Sequence, residues 1–139
     1  MTPFHLAFPV NDLDATRAFY CEVLGCMEGR SAETWIDFSL FGHQISAHLR
    51  PGAAGDRVSN DVEGVVTPIP HFGVVLEMKD WKALAERLEA RQDIDWVERP
   101  YVRFAGRPGE QATLFIRDPS GNALEFKGFS SMDALYATA

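Results

Sequence analysis

The feature that most constrains the fold of this chain is an internal repeat, because duplicated segments fold into similar units. One half of the sequence begins with Phe4–Val10 (FHLAFPV), and the other begins with Pro70–Leu76 (PHFGVVL). Each run is apolar and strand-like, has a histidine as its second residue, and precedes a segment with an acidic start and helical signals. The repeat therefore predicts two similar modules, each opened by a strand that carries a histidine.

Both opening strands lead into a predicted helix. In the first half, Asn11 or Asp12 can cap a helix from about Leu13 to Leu24, which Gly25 ends. In the second half, Asp80 can cap a helix whose apolar residues fall at helical spacing, namely Trp81, Leu84, Ala85 and Leu88. Each helix thus presents one apolar face, which we expect to lie on a sheet.

Further strand-like runs follow each helix and are separated by turn signals. These runs are Thr34–Leu40, Gln44–Leu49, Trp96–Phe104, Thr113–Ile116 and Ala123–Phe126. The segment Asp118–Asn122 (DPSGN) predicts a hairpin turn, because proline presets the first turn position and glycine accepts a positive φ. Phe41–His43 is expected to make the corresponding turn in the first half. The pattern predicts an α+β domain in which each module is a strand, a helix, and two or three antiparallel strands.

A length of 139 residues suits one domain, with module one at about 3–50 and module two at about 70–129. The intervening linker, 51–69, is rich in glycine, proline and small polar residues. It is long for a structureless connection, so we expect a crossover that also borders the functional site. In the tail, 130–139, the spacing of Met132, Leu135 and Tyr136 predicts a short helix.

Charge and composition exclude several classes of function. The net charge is −7 with an isoelectric point near 5.0, and the sequence has no basic stripe, so we expect no nucleic-acid partner. The apolar runs are too short to span a membrane, and no signal peptide precedes the first strand, so we expect a cytoplasmic location. The spacing of Cys21 and Cys26 fits neither a disulfide framework nor a C-x-x-C metal site, and both are read as reduced.

The candidate chemistry centres on His5, His71 and Glu125. The two histidines occupy equivalent positions of the repeat, so pseudo-twofold symmetry is expected to bring them together on a concave face. Glu125 lies between Leu124 and Phe126, and strand alternation turns its carboxylate to the face opposite these apolar neighbours. Two imidazoles and one carboxylate suit non-haem Fe(II), and the same ligands would accept Mn, Ni, Co or Zn. In the alternative interpretation, both histidines are hydrogen-bonded core residues and Glu125 is solvated.

Other polar residues are candidates for supporting roles. His48 shares strand parity with Ser46 and is read as a fourth ligand, an acid or base beside the metal, or a structural histidine, whereas His43 is expected at the surface. Tyr101 and Arg103 share a strand face and could offer a phenol and a cation to an anionic oxygen substrate, or could be solvated on an edge strand. The remaining candidates for substrate binding are Arg30, Glu110 and Gln111.

These motifs resemble the vicinal oxygen chelate superfamily, which includes glyoxalase I, extradiol dioxygenases, fosfomycin resistance proteins and bleomycin-binding proteins. The resemblance covers Phe4 to about Phe129. It rests on His5 and His71, on the helix end Phe19–Gly25 (FYCEVLG), and on Asp118–Glu125 (DPSGNALE). It implies two βαβββ modules that form a curled mixed sheet around a central metal cleft. The ligand set is similar to the His, His, Glu triad of extradiol dioxygenases, and relatives are often homodimers.

The sequence leaves three functional hypotheses. The first is an Fe(II)-dependent, extradiol-type ring-cleaving dioxygenase that acts on a catechol-like small molecule. The second is a glyoxalase-like metal-dependent isomerase or lyase, although glyoxalase I has a glutamate on the strand where this chain has Ser46 and His48. The third is a metal-free protein of the bleomycin-binding type that sequesters a small aromatic molecule.

Overall fold

The computed structural model describes residues 1–56, 58–62 and 64–138. Nearly half of the described residues are in short β-strands, which we number in chain order: β1 (His5–Val10), β2 (Met27–Ala32), β3 (Trp35–Leu40), β4 (His43–Leu49), β5 (Val58–Val62), β6 (Val65–Ile69), β7 (His71–Phe72), β8 (Val75–Glu77), β9 (Asp95–Arg103), β10 (Gln111–Arg117) and β11 (Ala123–Phe129). The helices are α1 (Leu13–Ala18), which runs into a π-helical segment at Phe19–Val23, and α2 (Met78–Glu89); a 3₁₀ turn spans Met132–Tyr136.

Module one is a four-stranded sheet in the order β1-β4-β3-β2. Strand β1 pairs in parallel with β4, with His5 opposite Gln44, while β3 is antiparallel to both β4 and β2. The parallel pair requires a crossover, which α1 and the π-helical segment supply. The Asp12 side chain accepts a hydrogen bond from the Ala15 amide and caps α1, as predicted. Gly25 has φ 76° and ends the helical segment.

Module two repeats this arrangement with one interruption. Its sheet runs β7-β11-β10-β9, and β8 also pairs with β11. Strands β7 and β8 together correspond to β1, and both are parallel to β11. Between them lies Gly73, where a methyl group would overlap the backbone carbonyl of Glu125. Close packing of the two strands therefore requires a residue without a side chain at this position.

Both modules share one hydrophobic core in the described part of the chain. Each helix contributes its apolar face, including Tyr20 and Val23 from the π-helical segment and Trp81 and Leu88 from α2. The sheets contribute the alternate residues of their inner strands, such as Phe126. The expected α+β architecture of two βαβββ modules with curled sheets is confirmed. Among the described helices, none has the length and apolarity needed to cross a membrane.

Two details differ from the sequence prediction. Helix α2 begins at Met78 rather than after Asp80, because Met78 is buried against the core and draws the chain into the helix earlier. Asp80 instead lies in the first turn, where its charge favours the helix dipole. The linker is not a plain crossover, because β5 and β6 form an antiparallel hairpin within it.

Candidate functional site

The centre of the candidate site is a pair formed by His71 and Glu125. Strand β7 lies beside β11 with His71 opposite Ala123, two residues before Glu125. Alternation turns Leu124 and Phe126 into the core, so the Glu125 carboxylate points to the other face, as predicted. On that face His71 Nε2 lies 3.3 Å from Glu125 Oε1.

Neighbouring groups fix both members of this pair. His71 Nδ1 lies 2.7 Å from the carbonyl oxygen of Pro68, which can only accept a hydrogen bond. The Nδ1 proton is therefore committed to Pro68, and in the neutral ring the lone pair is on Nε2. The Thr113 hydroxyl donates to Glu125 Oε2 at 2.6 Å, which holds the carboxylate in place. The site thus presents one imidazole nitrogen and one carboxylate oxygen in a set orientation.

The electrostatic environment favours the charged forms of both groups. The hydrogen bond to Glu125 raises the pKa of His71, and the Pro68 carbonyl acts in the same direction against the opposing effect of burial. Burial alone would raise the pKa of Glu125, but the hydrogen bonds from His71 and Thr113, together with the charge of Lys127, lower it overall. Each member of the pair therefore favours the charged form of the other.

The geometry of the pair fits two ligands of one divalent cation. Nitrogen and oxygen ligands lie at about 2.1 Å from such ions, so two ligands at a right angle are about 3 Å apart. The observed separation of 3.3 Å between Nε2 and Oε1 is close to this value. The hydrogen bonds from the rear, to Pro68 and from Thr113, are of the kind that orient metal-binding side chains. The donor set and its support are therefore compatible with a metal ion, with two of the three predicted ligands adjacent.

A cleft of about 440 Å³ opens beside this pair. It is bounded by side chains of the β5–β6 hairpin and of the module-two sheet, namely Val62, Thr67, Glu98, Tyr101, Arg103, Gln111, Ala112, Thr113, Phe115, Glu125 and Lys127. The hairpin position agrees with the expectation that the linker borders the site. Phe115 also packs edge-on against His71, with ring centroids 4.8 Å apart, and forms an apolar wall of the cleft.

His5 does not join the other two predicted ligands within one chain. It lies at the start of β1, where its Nδ1 contacts Gln44 Oε1 at 2.8 Å. Across residues 1–56, 58–62 and 64–138, no three His, Cys, Asp or Glu side chains are grouped so that they could hold one metal ion. The expectation that both repeats converge on one cation inside a single chain is therefore wrong. Pseudo-symmetry relates the two histidines but does not group them with Glu125 around one ion.

The other predicted site residues divide between the two modules. Tyr101, Arg103 and Gln111 line the cleft with Glu125. His48 lies on the module-one sheet, toward the opposite end of β4 from Gln44, in a shallow second cleft. Arg30 is exposed on β2.

Glu110 lies outside the lining of the cleft. Its carboxylate accepts hydrogen bonds from the Gly106 amide and the Ser130 hydroxyl and thereby fastens the β9–β10 loop to the end of β11. His43 begins β4, and its Nδ1 accepts from the Phe4 amide. Both contacts are structural, and neither places the side chain in the cleft beside Glu125.

Two residues that shape the site were not predicted from the sequence. Thr113 lies on β10 within reach of Glu125, but its partner depends on strand register, which no local pattern reveals. Lys127 lines the cleft two residues after Glu125. Alternation could have identified it, because β11 continues to Phe129 rather than ending at Phe126.

Comparison with known proteins agrees with the fold. Residues 2–126 match the family model described as the glyoxalase/bleomycin resistance protein/dioxygenase superfamily. A virulence protein of Salmonella typhimurium is 30% identical over 130 residues, which cover 90% of this chain and 82% of that protein.

Solved structures give the same result. A glyoxalase/bleomycin resistance protein/dioxygenase from Alicyclobacillus acidocaldarius superposes with a TM-score of 0.78 at 32% identity, covering 97% of this chain and 96% of the other. A mutant of the fosfomycin resistance protein FosX from Listeria monocytogenes, complexed with Mn(II) and 1S,2S-dihydroxypropylphosphonic acid, has a TM-score of 0.62 at 17% identity. It covers 97% of this chain and 95% of its own, and this lower identity shows likeness of fold alone.

Proposed function

The chain belongs to the glyoxalase/bleomycin resistance protein/dioxygenase superfamily, and from this premise we propose that it is a divalent-metal-dependent enzyme acting on a small molecule with adjacent oxygen atoms. The observation that carries the proposal is the His71–Glu125 pair, with Nε2 and Oε1 3.3 Å apart and each side chain held from the rear. His5 completes the ligand set, supplied by a second copy of the chain.

The protein groups around the pair have separate tasks. A bound divalent ion supplies Lewis acidity, which lowers the pKa of substrate hydroxyl groups. Phe115 offers an apolar wall against which a planar ring can pack. Tyr101 lies in the same cleft and can move a proton, while Arg103 and Gln111 can hold oxygen atoms at the far side of the substrate.

The reaction we favour is extradiol-type ring cleavage of a catechol-like substrate with Fe(II). Two imidazoles and one carboxylate are the ligand set that suits non-haem Fe(II) and leaves open positions. The cleft volume of about 440 Å³ is within the usual range for small-molecule sites. Phe115 and the polar groups that line the same cleft suit a molecule with one aromatic face and adjacent hydroxyls.

A metal-dependent isomerase or lyase is the second candidate. The observation that favours it is His48, whose exposed side chain lies on the same sheet face as His5, because alternate residues of β4 share that face. Such an imidazole can take a proton from one carbon of a substrate and return it to another, which is the step that isomerisation requires. This reaction would proceed without oxygen and would tolerate Mn, Ni, Co or Zn.

The second copy is required because one chain supplies only part of the ligand set. The sheet face that carries His5 is open, and β2 at its edge is exposed along its whole length. The apolar side chain of Met27 lies on that face and is 76% exposed, because Met27 pairs with Ser39, which pairs with Gln44. In a symmetric dimer, the module-one face of one protomer would cover the module-two cleft of its partner and bring His5 to the half-site of His71 and Glu125.

Mixing two inactive variants tests the shared site. His5→Ala and His71→Ala each remove one ligand, and each homodimer should bind Mn(II) weakly. If the ligands come from two chains, co-expression of both variants restores intact sites in the mixed dimers, about a quarter of all sites. If all ligands come from one chain, every site carries a lesion and no binding returns. Co-expression of His5→Ala with His5→Ala,His71→Ala is the control, because it leaves no intact site in either arrangement.

The metal and the reaction are tested on protein purified under nitrogen. Elemental analysis should find one divalent metal per pair of His71 and Glu125, and Glu125→Gln should lose it while Glu89→Gln on the outer face of α2 keeps it. Iron-loaded protein should consume oxygen with at least one catechol of a substituted panel. Metal-dependent turnover without oxygen uptake would select the isomerase or lyase. Absence of metal, with small-molecule binding unchanged by chelator, would instead support the metal-free binding protein.

A further inference from the structure

Three side chains behind His5 form a continuous hydrogen-bonded chain on the module-one sheet. His5 Nδ1 lies 2.8 Å from Gln44 Oε1, and Gln44 Nε2 lies 3.5 Å from Asp37 Oδ2. The Ser46 hydroxyl donates to the other carboxylate oxygen, Asp37 Oδ1, at 2.6 Å. Asp37 is only 9% exposed and Ser46 only 6%. The ligand set proposed above does not explain why the carboxylate between Gln44 and Ser46 is buried.

A hydroxyl–carboxylate hydrogen bond also occurs in module two, but there the two groups lie on the opposite strands of the pair. In module two the Thr113 hydroxyl on β10 donates to the Glu125 carboxylate on β11. In module one the corresponding strands are β3 and β4, and here the carboxylate, Asp37, is on β3 while the hydroxyl is on β4. Register equates Ser46 with Glu125, since each lies two residues beyond the partner of the module histidine. The Asp37 carboxylate therefore lies one strand away from where a metal ligand would be.

The direction of these hydrogen bonds is set by the Asp37 carboxylate. A carboxylate only accepts, so Gln44 has to turn its NH₂ group toward Asp37 and its carbonyl oxygen toward His5. The opposite amide orientation would place two acceptors against each other and lose the contact to the ring. With Oε1 facing the ring, Nδ1 carries the proton and the lone pair of a neutral His5 is on Nε2. Pro68 imposes the same tautomer on His71.

We infer that Gln44, oriented by Asp37, is a positioning residue that fixes the His5 tautomer so that Nε2 presents its lone pair at the open face of the sheet. The inference rests on the proposed function only for the use made of that lone pair. In module two the residue equivalent to Gln44 is Ala123, which has no polar side chain, and a backbone carbonyl performs the task. The two modules thus fix the same histidine tautomer, module one through a side-chain amide and module two through a backbone carbonyl.

Nitrogen NMR of histidine-labelled, metal-free protein tests the orientation directly. Long-range ¹⁵N–¹H correlations at a pH where the ring is neutral should place the His5 proton on Nδ1. In Gln44→Leu that preference should be lost and Mn(II) affinity should fall at least tenfold, as expected when a ligand-orienting partner is removed. Gln92→Leu, an exposed glutamine outside both modules' sheets, should change neither quantity.

Exchanging the amide and the carboxylate between positions 44 and 37 tests whether Gln44 positions His5 or only packs against it. Gln44→Glu alone places two carboxylates together, whereas Gln44→Glu with Asp37→Asn restores a donor opposite an acceptor and should recover both the tautomer and the Mn(II) affinity. A proton on Nε2 of His5 in the unmodified protein would overturn the inference. So would a Gln44→Leu variant that is less stable yet keeps the tautomer. If the unmodified protein binds no Mn(II), the proposed function fails, and the NMR result still decides the inference.

Discussion

At the scale of single residues, Thr113 should control how firmly Glu125 is held. Its hydroxyl donates to Glu125 Oε2 at 2.6 Å, while the other oxygen faces His71. Thr113→Val keeps the side-chain shape and removes only this donor. We expect Mn(II) affinity, measured by titration calorimetry, to fall about tenfold, the usual scale for such orienting contacts. Thr34→Val, an exposed threonine at the β2–β3 turn, is the control, and equal affinities in both variants would contradict the role assigned to Thr113.

The buried thiol of Cys26 should be unreactive in the native protein at neutral pH. Burial raises the pKa of the Cys26 thiol to about 12, so at pH 8 only about one molecule in 10,000 carries the reactive thiolate. In Cys21→Ser protein, a disulfide reagent should therefore react with Cys26 only after unfolding. Because the pKa is raised, the native rate should stay low at neutral pH and increase only in strong alkali. Rapid reaction at pH 8 in the native Cys21→Ser variant would exclude this assignment.

The sequence could predict the faces of these residues but not all of their partners. Strand alternation correctly turned Glu125 away from the core, and the repeat correctly put a histidine at the start of each module's opening strand, where it is the first residue of β1 or β7 rather than the second. Neither signal contains distance, so His5 was expected beside His71, although the described part of one chain does not group His5 with His71 and Glu125 as three ligands of one ion. Gln44 and Asp37 were missed because their contacts cross strands and depend on register.

At the scale of elements, α2 packs closely against β11. Trp81 lies over Gly128, and its indole Nε1 donates to the Phe126 carbonyl at 2.9 Å. A methyl group at position 128 would lie 2.7 Å from Trp81 Cβ, which is too close without a shift of the helix. Gly128→Ala should lower the free energy of unfolding by about 1–3 kcal/mol in urea titrations, the usual cost of overpacking.

Gly109→Ala is the matched control for this change. A methyl group there meets no atom within 4 Å, and its φ is not positive, so stability should be preserved. Equal stability of the two variants would mean that α2 can move away from the sheet without loss. The comparison therefore separates the effect of helix–sheet packing from the general effect of replacing glycine by alanine.

Helices and strands were predictable from the sequence where buried and exposed residues recur at a regular spacing. Strands without that spacing were missed. The first helix was expected to run from Leu13 to Leu24, and the chain is helical there, although its second half widens to the π form with a Leu24 N to Phe19 O bond. Strand β2 was missed because every residue in it is exposed, so it has no apolar period. The hairpin of β5 and β6 was missed in the same way, since composition predicts a loop and only pairing makes it a sheet.

At the scale of the whole molecule, the turn between β10 and β11 joins the two modules. The Ser120 hydroxyl accepts from the Asn11 amide, and the Asn122 side chain donates to the Pro9 carbonyl. Beneath them, the buried Tyr20 hydroxyl of module one donates to Asp118 Oδ2 at 2.8 Å. The turn signal at 118–122 was correctly predicted, but its contacts with the other module were not, because they link residues about 100 positions apart.

This junction predicts that the two modules unfold together. Tyr20→Phe keeps the ring in its apolar surroundings and removes one donor from a buried carboxylate, which should lower the free energy of unfolding by about 1–3 kcal/mol. Because Tyr20 and Asp118 belong to different modules, the loss should reach amides of both. Hydrogen exchange should show core amides in β4 and in β11 losing protection by the same amount, whereas Tyr136→Phe, at an exposed ring, should change neither. Loss of protection confined to module one would mean that the modules unfold independently in spite of the core that they share.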